Sequence, residues 1–433
     1  MNLTIRSSKS AEEQLEVPGD KSISHRSLIL SSIAEGESSI RGLLEADDCL
    51  KTLNIMRALG VSINKHAPGE YTVYGKGLDS LEEPENVLDC GNSGTGMRLI
   101  AGLLSGQDFY SILTGDQSLR SRPMNRIIEP LSMMGVKIWS RAGGYAPLSI
   151  QGGELNSIHF AQKIASAQVK SCLLLAGLYA EGNTVIEEPA PSRDHTERML
   201  ASAGVEIEKS DGTIALKDDN PQIEPFDIKI PGDISSASFL LAAGLLVPDS
   251  SILVKNVGIN STRSGFLEVL DDMGAELVIK NKRKMGGEPA ADLKVETSDL
   301  RSVTVEGEII PRMIDEIPIL AVLATQAEGR TVINDAEELR VKETDRLSAI
   351  TENLNKMGAD VEEKEDGLII EGPVDLKGEI ALESFHDHRI AMASAVAGLI
   401  ADGPVEILES EIINTSFPEF PKIIKNKFLQ EAE

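Results

Sequence analysis

The stretch Val17-Pro18-Gly19-Asp20-Lys21-Ser22 recurs, about half a chain later, as Ile230-Pro231-Gly232-Asp233-Ile234-Ser235. Pro-Gly-Asp favours a turn in both copies. We interpret the two copies as paired crossover points between two domains. Residues 19–231 then form the first domain, and residues 1–18 join residues 232–433 to complete the second.

A longer repeat runs through both halves. In each copy an apolar helix ends in a small turn and leads into a β-branched strand, with a period of roughly 65–80 residues. The copies are Leu28–Ile40, Leu99–Leu113, Leu173–Ile186, Leu240–Val254, Ile319–Ile333 and Ala395–Ile407. We therefore expect six similar units, three in each domain.

A second repeat interleaves with the first and consists of a helix end, a glycine, a small apolar residue and a strand. Glycine after the last helical turn is a typical helix C-cap. The glycines are Gly60, Gly135, Gly204, Gly274 and Gly358, and a sixth copy is missing. Each unit thus holds about two helices and several strands, which predicts an α/β fold. A solenoid of stacked units is the competing architecture.

Composition narrows the class of protein. The 433 residues include 41% hydrophobic and 3% aromatic side chains, and the formal net charge is -27. Such an excess of acid argues against nucleic acid and anionic membranes as partners, and it makes local clusters of cations more informative. Three scattered cysteines, the lack of an apolar N-terminal core and the lack of a long apolar run favour a cytoplasmic protein.

The segment Arg340-Val341-Lys342-Glu343-Thr344-Asp345-Arg346 precedes a helix predicted from an apolar stripe, Leu347, Ile350, Leu354 and Met357. Thr344 or Asp345 can cap that helix. Lys342 and Arg346 then repel each other at i, i+4 beside the positive end of the helix dipole. A bound anion would relieve this repulsion, and a solvated charged turn paired by Glu338 and Asp345 is the alternative.

Other polar clusters also stand before apolar helices. Cations, hydroxyl groups or glycine N–H groups at a helix start suit phosphate and carboxylate ligands. These segments are Lys21–Ser27, Asp89–Arg98, Leu119–Arg126 and Ser166–Ser171. Each one alone is also compatible with a capped helix or a solvated loop.

Two further segments contain acids or histidines. Asp315 and Glu316 come just before Pro318 and could cap a helix or act in acid–base catalysis. His386-Asp387-His388-Arg389 has too few ligands to define a zinc site, so we expect no metal and no cofactor. Arg389 is a candidate anion contact.

Taken together, these segments resemble the 5-enolpyruvylshikimate-3-phosphate synthase family in order and spacing over essentially the full chain. The resemblance implies two similar domains, each of three βαβαββ units, in the enolpyruvyl transferase fold, an inside-out α/β barrel that closes around substrate. It implies transfer of the enolpyruvyl group of phosphoenolpyruvate to the 5-hydroxyl of shikimate 3-phosphate, with release of phosphate. The first domain would bind shikimate 3-phosphate, and the second would supply the acid–base groups and hold phosphoenolpyruvate.

The resemblance also implies a role for individual residues. Asp315 would accept the hydroxyl proton, Glu343 would protonate the methylene carbon, and Lys21 would assist proton transfer. The positions implied to bind the two substrates are Lys21, Ser22, Arg26, Gly94, Arg122, Ser166, Ala167, Gln168, Arg193, Asp315, Lys342, Arg346 and Arg389. We expect a monomer with these two small-molecule substrates.

Departures from the family pattern resemble its second class, whose members are often tolerant of glyphosate. Ala167 replaces a serine, Glu338 an asparagine and Thr415 a lysine. Gly94 lacks the methyl group that is linked to tolerance, so glyphosate is expected to fit.

A transferase acting on UDP-N-acetylglucosamine is the nearest alternative, but no cysteine precedes Arg122-Pro123 in the corresponding loop. A non-catalytic repeat scaffold is the alternative outside enzymes.

Overall fold

The computed structural model describes residues 2–217 and 221–429. The chain divides into two compact units. We call Gly19–Pro231 with Met285–Glu288 the first unit, and Met1–Pro18, Gly232–Lys284 and Pro289–Glu433 the second unit. Within the described residues, no helix has the length and apolarity needed to span a membrane.

The helices follow the predicted repeats. The α-helices are α1 (Lys21–Ser32), α2 (Asp47–Ala58), α3 (Gly94–Ser105), α4 (Asn125–Met133), α5 (Ala167–Gly177), α6 (His195–Ser202), α7 (Ile234–Leu246), α8 (Gly265–Asp272), α9 (Ile310–Met313), α10 (Ile317–Ala324), α11 (Arg346–Lys356), α12 (His388–Gly398) and α13 (Phe420–Ile423). Short 3₁₀ turns include Leu119–Ser121, Ile314–Glu316, Glu337–Val341 and Ser410–Thr415, and a π-turn, Ile424–Phe428, follows α13.

Strands alternate with these helices. They are β1 (Leu3–Ile5), β2 (Glu12–Glu16), β3 (Glu35–Arg41), β4 (Ser62–Ala67), β5 (Glu70–Lys76), β6 (Leu88–Asp89), β7 (Tyr110–Thr114), β8 (Lys137–Arg141), β9 (Tyr145–Gln151), β10 (Leu155–Asn156), β11 (His159–Ala161), β12 (Ala180–Glu181), β13 (Thr184–Glu187), β14 (Ile207–Ser210), β15 (Thr213–Leu216), β16 (Asp227–Lys229), β17 (Ser251–Gly258), β18 (Glu276–Met285), β19 (Glu288–Glu296), β20 (Thr304–Val305), β21 (Gly329–Ile333), β22 (Asp360–Glu363), β23 (Leu368–Gly372), β24 (Ile380–Leu382) and β25 (Val405–Ile407).

The sheets repeat one topology. In the order β6-β7-β9-β8, the first two strands are parallel and the hairpin that follows is antiparallel. A helix connects the parallel strands, as such a pair requires, so the unit is βαβαββ. The same arrangement recurs in β11-β13-β15-β14 and β20-β21-β23-β22. This repeat confirms the predicted fold class and excludes the solenoid.

Strands from distant parts of the chain complete the other sheets. β16, at the end of the first half, pairs in parallel with β3. β2, near the N-terminus, pairs in parallel with β17, and β1 pairs with β25. The backbone therefore crosses over at both Pro-Gly-Asp turns, where Asp20 N–H bonds Pro231 O and Asp233 N–H bonds Pro18 O, at 2.8 and 2.9 Å.

The predicted glycine caps adopt the left-handed conformation that favours glycine. Their φ angles lie between +77° and +101°, and each follows a helix and precedes a strand; they are Gly60, Gly135, Gly204, Gly274 and Gly358.

The apolar helices form the interior of each unit. α10 is buried at every position, and α7 is buried from Ile234 to Leu245. These two helices and α12 contact one another, and α3 contacts both α1 and α5 in the first unit. Helices that are apolar on all sides are stable only in such surroundings. Polar residues on these apolar helices are therefore confined mainly to their ends, and most of the predicted candidates lie at or near the N-terminal ends.

Candidate active site

The first unit gathers cations at the starts of α1, α3 and α5. Arg26 is 3% exposed, and its guanidinium donates to Thr196 Oγ1 and Ser171 Oγ at 2.6 Å each and to Ser22 O at 2.9 Å. Burial lowers the pKa of Arg26 to about 10, although Glu197 and Asp20 oppose this effect. Arg26 is thus a charged, fixed donor near neutral pH. Lys21, at the first position of α1, forms an ion pair with Asp48.

α3 and α5 are joined at their N-terminal ends by Gln168. Its Oε1 accepts from Arg98 Nη1 at 2.5 Å, and its Nε2 donates to Thr95 Oγ1 at 2.9 Å. The Ser166 hydroxyl group accepts a hydrogen bond from Val169 N–H at 3.4 Å, so Ser166 is the N-terminal cap of α5. Ala167 opens the helix, and its carbonyl accepts from Ser171 at 2.6 Å. Ser171 therefore connects the start of α5 to Arg26.

The glycine-rich loop before α3 holds Arg122. The Arg122 guanidinium donates to Asn92 O at 3.2 Å, Asn92 Oδ1 at 2.5 Å and Ser118 Oγ at 3.0 Å. Asn92 is itself held by Asp116, 2.7 Å away. A Cβ on Gly94 would lie 3.4 Å from Arg122 Nη1 and 2.9 Å from Arg98 Nη1. The first N–H groups of α3 thus stand beside two guanidinium groups, as anion binding requires.

His25 is a residue that sequence reasoning missed. Its Nδ1 lies 2.8 Å from Thr52 Oγ1 and its Nε2 3.4 Å from Ser93 Oγ, the cap of α3. Burial, followed by the charges of Lys21 and Arg26, lowers the pKa of His25 well below its usual value. The ring is therefore neutral and joins the starts of α1 and α3. No spacing in the sequence indicates this contact.

The second unit is organised around Arg346, the first residue of α11, which is 1% exposed. Its Nε donates to Asp387 at 2.7 Å, its Nη1 to Asp315 at 3.1 Å and its Nη2 to Glu343 at 2.5 Å. Burial alone would lower the pKa of Arg346, but the three carboxylates raise it above its ordinary value.

This arrangement corrects the predicted conflict between Lys342 and Arg346. The charge of Arg346 is balanced inside the protein by Asp315, Glu343 and Asp387, so relief of repulsion by a bound anion is not required. The pattern of i, i+4 charges could not show this, because Asp315 and Asp387 come from other segments of the chain.

The two arginines of the segment Arg340–Arg346 have different surroundings. Arg340 donates to Asp345 and Glu363 at 2.8 Å each, and to Glu365 O at 2.7 Å. Asp345 also caps α11, accepting from Ser348 N–H at 3.2 Å. The charged-turn interpretation thus holds for Arg340 and Asp345, whereas Arg346 is buried.

Asp387 links α11 to α12. Its Oδ1 accepts from the N–H of Arg389 at 2.8 Å and caps α12, while its Oδ2 accepts from Arg346. Arg389 Nη1 donates to Asp315 O at 3.3 Å. Neither Asp315 nor Glu316 caps α10 through its side chain, so the simple capping interpretation of that segment is wrong. No metal-binding group of acids, histidines and cysteines occurs in residues 2–217 and 221–429.

Several predicted positions have less defined surroundings. Arg193 lies close enough to Arg26 to lower its pKa. Ser22 is partly buried at the start of α1, and Lys342 is partly buried directly after the 3₁₀ turn Glu337–Val341. Thr415 donates to Ile412 O at 2.8 Å within its own turn.

Comparison with solved structures defines the class of protein first. The enolpyruvyl transferase NikO from Streptomyces tendae superposes with a TM-score of 0.80 at 17% identity, over 98% of this chain and 97% of that one, and thus shares the fold. The structure of EPSP synthase from Acinetobacter baumannii superposes with a TM-score of 0.89 at 43% identity, over 99% and 98% of the two chains.

Sequence comparison gives the particular family. The sequence model of EPSP synthase (3-phosphoshikimate 1-carboxyvinyltransferase) matches residues 5–424. The 3-phosphoshikimate 1-carboxyvinyltransferase of Petrotoga mobilis is 50% identical over 427 residues, which cover 98% of this chain and 99% of the relative. The chain belongs to the EPSP synthase family.

Proposed function

We propose that this chain transfers the enolpyruvyl group of phosphoenolpyruvate to the 5-hydroxyl of shikimate 3-phosphate and releases phosphate, as a step of aromatic amino acid biosynthesis. Membership of the family over nearly the whole chain supports the reaction. The observation on the molecule that supports it most is the triad of carboxylates around Arg346, two of which are the proposed acid and base. We propose that the enzyme acts as a cytoplasmic monomer.

The first unit is proposed to bind shikimate 3-phosphate. Arg26, held by Ser171 and Thr196, offers a charge-assisted donor whose orientation is fixed before substrate arrives. Ser22, Ser166, Gln168 and the backbone of Ala167 would add neutral donors and acceptors for the hydroxyl groups, with Arg193 at the phosphate.

Phosphoenolpyruvate brings a phosphate and a carboxylate, which require several cations. The groups proposed to bind it are Lys21, Arg122, the N–H of Gly94, Arg346 and Arg389. Three carboxylates occupy three of the five donors of Arg346. An incoming anion would therefore have to use its remaining donors or compete with Glu343, which is the most exposed of the three.

The proposed chemistry is addition followed by elimination. Asp315 accepts the proton of the 5-hydroxyl group while the hydroxyl oxygen bonds to C2 of phosphoenolpyruvate. Glu343 delivers a proton to C3. Loss of a proton from C3 then restores the double bond as the C2–O bond to phosphate breaks. Lys342 would contact the sugar-like substrate, and Lys21 would assist proton transfer. Acids in distinct surroundings suit such opposite roles.

Release of phosphate from phosphoenolpyruvate tests this proposal. The protein is expected to release phosphate when shikimate 3-phosphate is added and not when UDP-N-acetylglucosamine is added. Asp315→Asn is expected to be inactive, and it controls for contaminating phosphatase. Release with the nucleotide sugar alone would assign the sister reaction, and release with neither would favour a scaffold.

Gly94→Ala should raise the inhibition constant of glyphosate by about tenfold or more, and by more than the Michaelis constant of phosphoenolpyruvate. The new methyl group would crowd the guanidinium of Arg98 at 2.9 Å and approach that of Arg122 at 3.4 Å. Glyphosate is longer than phosphoenolpyruvate by one atom between phosphorus and carboxylate, so it loses more from the narrowed space. Steady-state inhibition measures both constants, and equal increases would contradict this explanation.

A further inference from the structure

A second carboxylate, Glu316, lies directly after Asp315 in the 3₁₀ turn Ile314–Glu316 and is 0% exposed. Its Oε1 accepts from the hydroxyl of Ser235. Its Oε2 has no hydrogen-bond partner in the part of the chain that the structure describes. Burying a carboxylate costs free energy unless cations compensate for its charge. The cations near Glu316 therefore determine how its charge is stabilised.

Arg263, 4% exposed in the loop before α8, is the first of two cations near Glu316. Its Nη2 donates to Ser235 Oγ at 2.5 Å and lies 3.6 Å from Glu316 Oε1. The Ser235 hydroxyl group therefore accepts a hydrogen bond from Arg263 and donates one to Glu316. Ser235 occupies the same place in the second Pro-Gly-Asp stretch as Ser22 does in the first.

Both carboxylates share the same two arginines. Arg263 Nη1 is 4.0 Å from Asp315 Oδ2, and Arg389 Nη2 is 3.8 Å from the same atom. Arg389 Nη1 is 3.9 Å from Glu316 Oε1. These separations exceed hydrogen-bond lengths, so each arginine is within ion-pair distance of both carboxylates without a short contact to either.

We propose that Glu316, together with Arg263, is a positioning residue that controls how readily the Asp315 carboxylate accepts a proton. This inference rests on the proposed function of Asp315 as the base. Glu316 places a negative charge beside Asp315 and attracts two guanidinium groups that would otherwise pair with it. Both effects keep Asp315 a stronger base. Other charged groups around Asp315 in the described residues include Arg346 and, beyond it, Glu343 and Asp387.

The opposite charges of Glu316 and Arg263 predict opposite effects on the pH dependence of turnover. In Glu316→Gln, the acid limb of the kcat–pH profile should move down by about one pH unit, with kcat lower by about tenfold. In Arg263→Gln, the same limb should move up by about one pH unit. Glu362→Gln, which changes an exposed acid on β22, is the matched control and should leave the profile unchanged.

Phosphate release measured from pH 5 to pH 9, with circular dichroism on each variant, decides the matter. The inference would be overturned if the acid limb of the kcat–pH profile keeps its wild-type position in both variants. It would also be overturned if the limb moves in the same direction in both, even if kcat falls. If Glu316→Gln does not fold, Arg263→Gln and the double variant provide the test, since the double variant should bring the limb back towards its wild-type position. Wild-type protein that releases no phosphate with shikimate 3-phosphate would instead overturn the proposed function, and this inference with it.

Discussion

Glu343→Gln should lower kcat by at least about a hundredfold and leave substrate binding largely intact. Glu343 is proposed to donate the proton to the methylene carbon, and an amide cannot supply that proton. The side chain is 22% exposed and accepts from Arg346 Nη2 at 2.5 Å. The amide oxygen of glutamine still accepts this hydrogen bond, so the position of Arg346 should change little.

Steady-state kinetics and calorimetry with shikimate 3-phosphate measure the two effects separately. Glu337→Gln, which changes an exposed acid in the 3₁₀ turn just before Glu343, is the control and should retain kcat. A Glu343→Gln enzyme that keeps kcat within a few-fold of wild type would show that another group delivers the proton. A large loss of shikimate 3-phosphate affinity would indicate a structural role instead.

Arg346→Met should destabilise the second unit by about 3–5 kcal/mol and lower kcat/KM by about a hundredfold or more. Removal of this guanidinium deprives Asp387, which is 0% exposed, and Asp315, which is 8% exposed, of the cation that hydrogen-bonds to both. The same change also removes a cation proposed to bind phosphoenolpyruvate. Loss of the guanidinium that hydrogen-bonds to these two buried carboxylates costs more stability than loss of an exposed ion pair.

Arg340→Met is the matched control, because the same residue type stands six positions earlier in the same segment. Its side chain is 26% exposed, so its ion pairs with Asp345 and Glu363 should contribute about 1 kcal/mol or less. Urea unfolding followed by circular dichroism measures both variants, with a fit that permits more than one transition. Equal losses of stability would show that burial of Arg346 is not the reason for its effect.

Most of the fold was predictable because it depends on local patterns. The six apolar helices, each followed by a strand, and the five glycine caps were found from composition and periodicity alone. Helix capping was partly predictable too: Asp345 was one of two candidates and is the cap of α11. Such features involve residues a few positions apart, and short-range geometry specifies them.

The candidate site was predictable in its residue types but not in its contacts. Lys21, Arg26, Arg122 and Arg389 were found as cations near helix starts or in loops, whereas no role was predicted for His25 or Arg263. Glu316 was identified only as one of two acids that could cap a helix or act in acid–base catalysis. Its buried position depends on Ser235 and Arg263, which lie more than fifty positions away in the chain.

The amino-acid sequence by itself determined the repeat, the crossover turns, the helix and strand order, and the residue types that stand at each helix start. Only the tertiary structure decided which charges meet. Arg346 appeared to be repelled by Lys342 at short range, yet Asp315 and Asp387 reach it from segments 31 and 41 residues away. Local backbone preferences depend on neighbours in sequence, whereas electrostatic balance depends on distance in space and on burial.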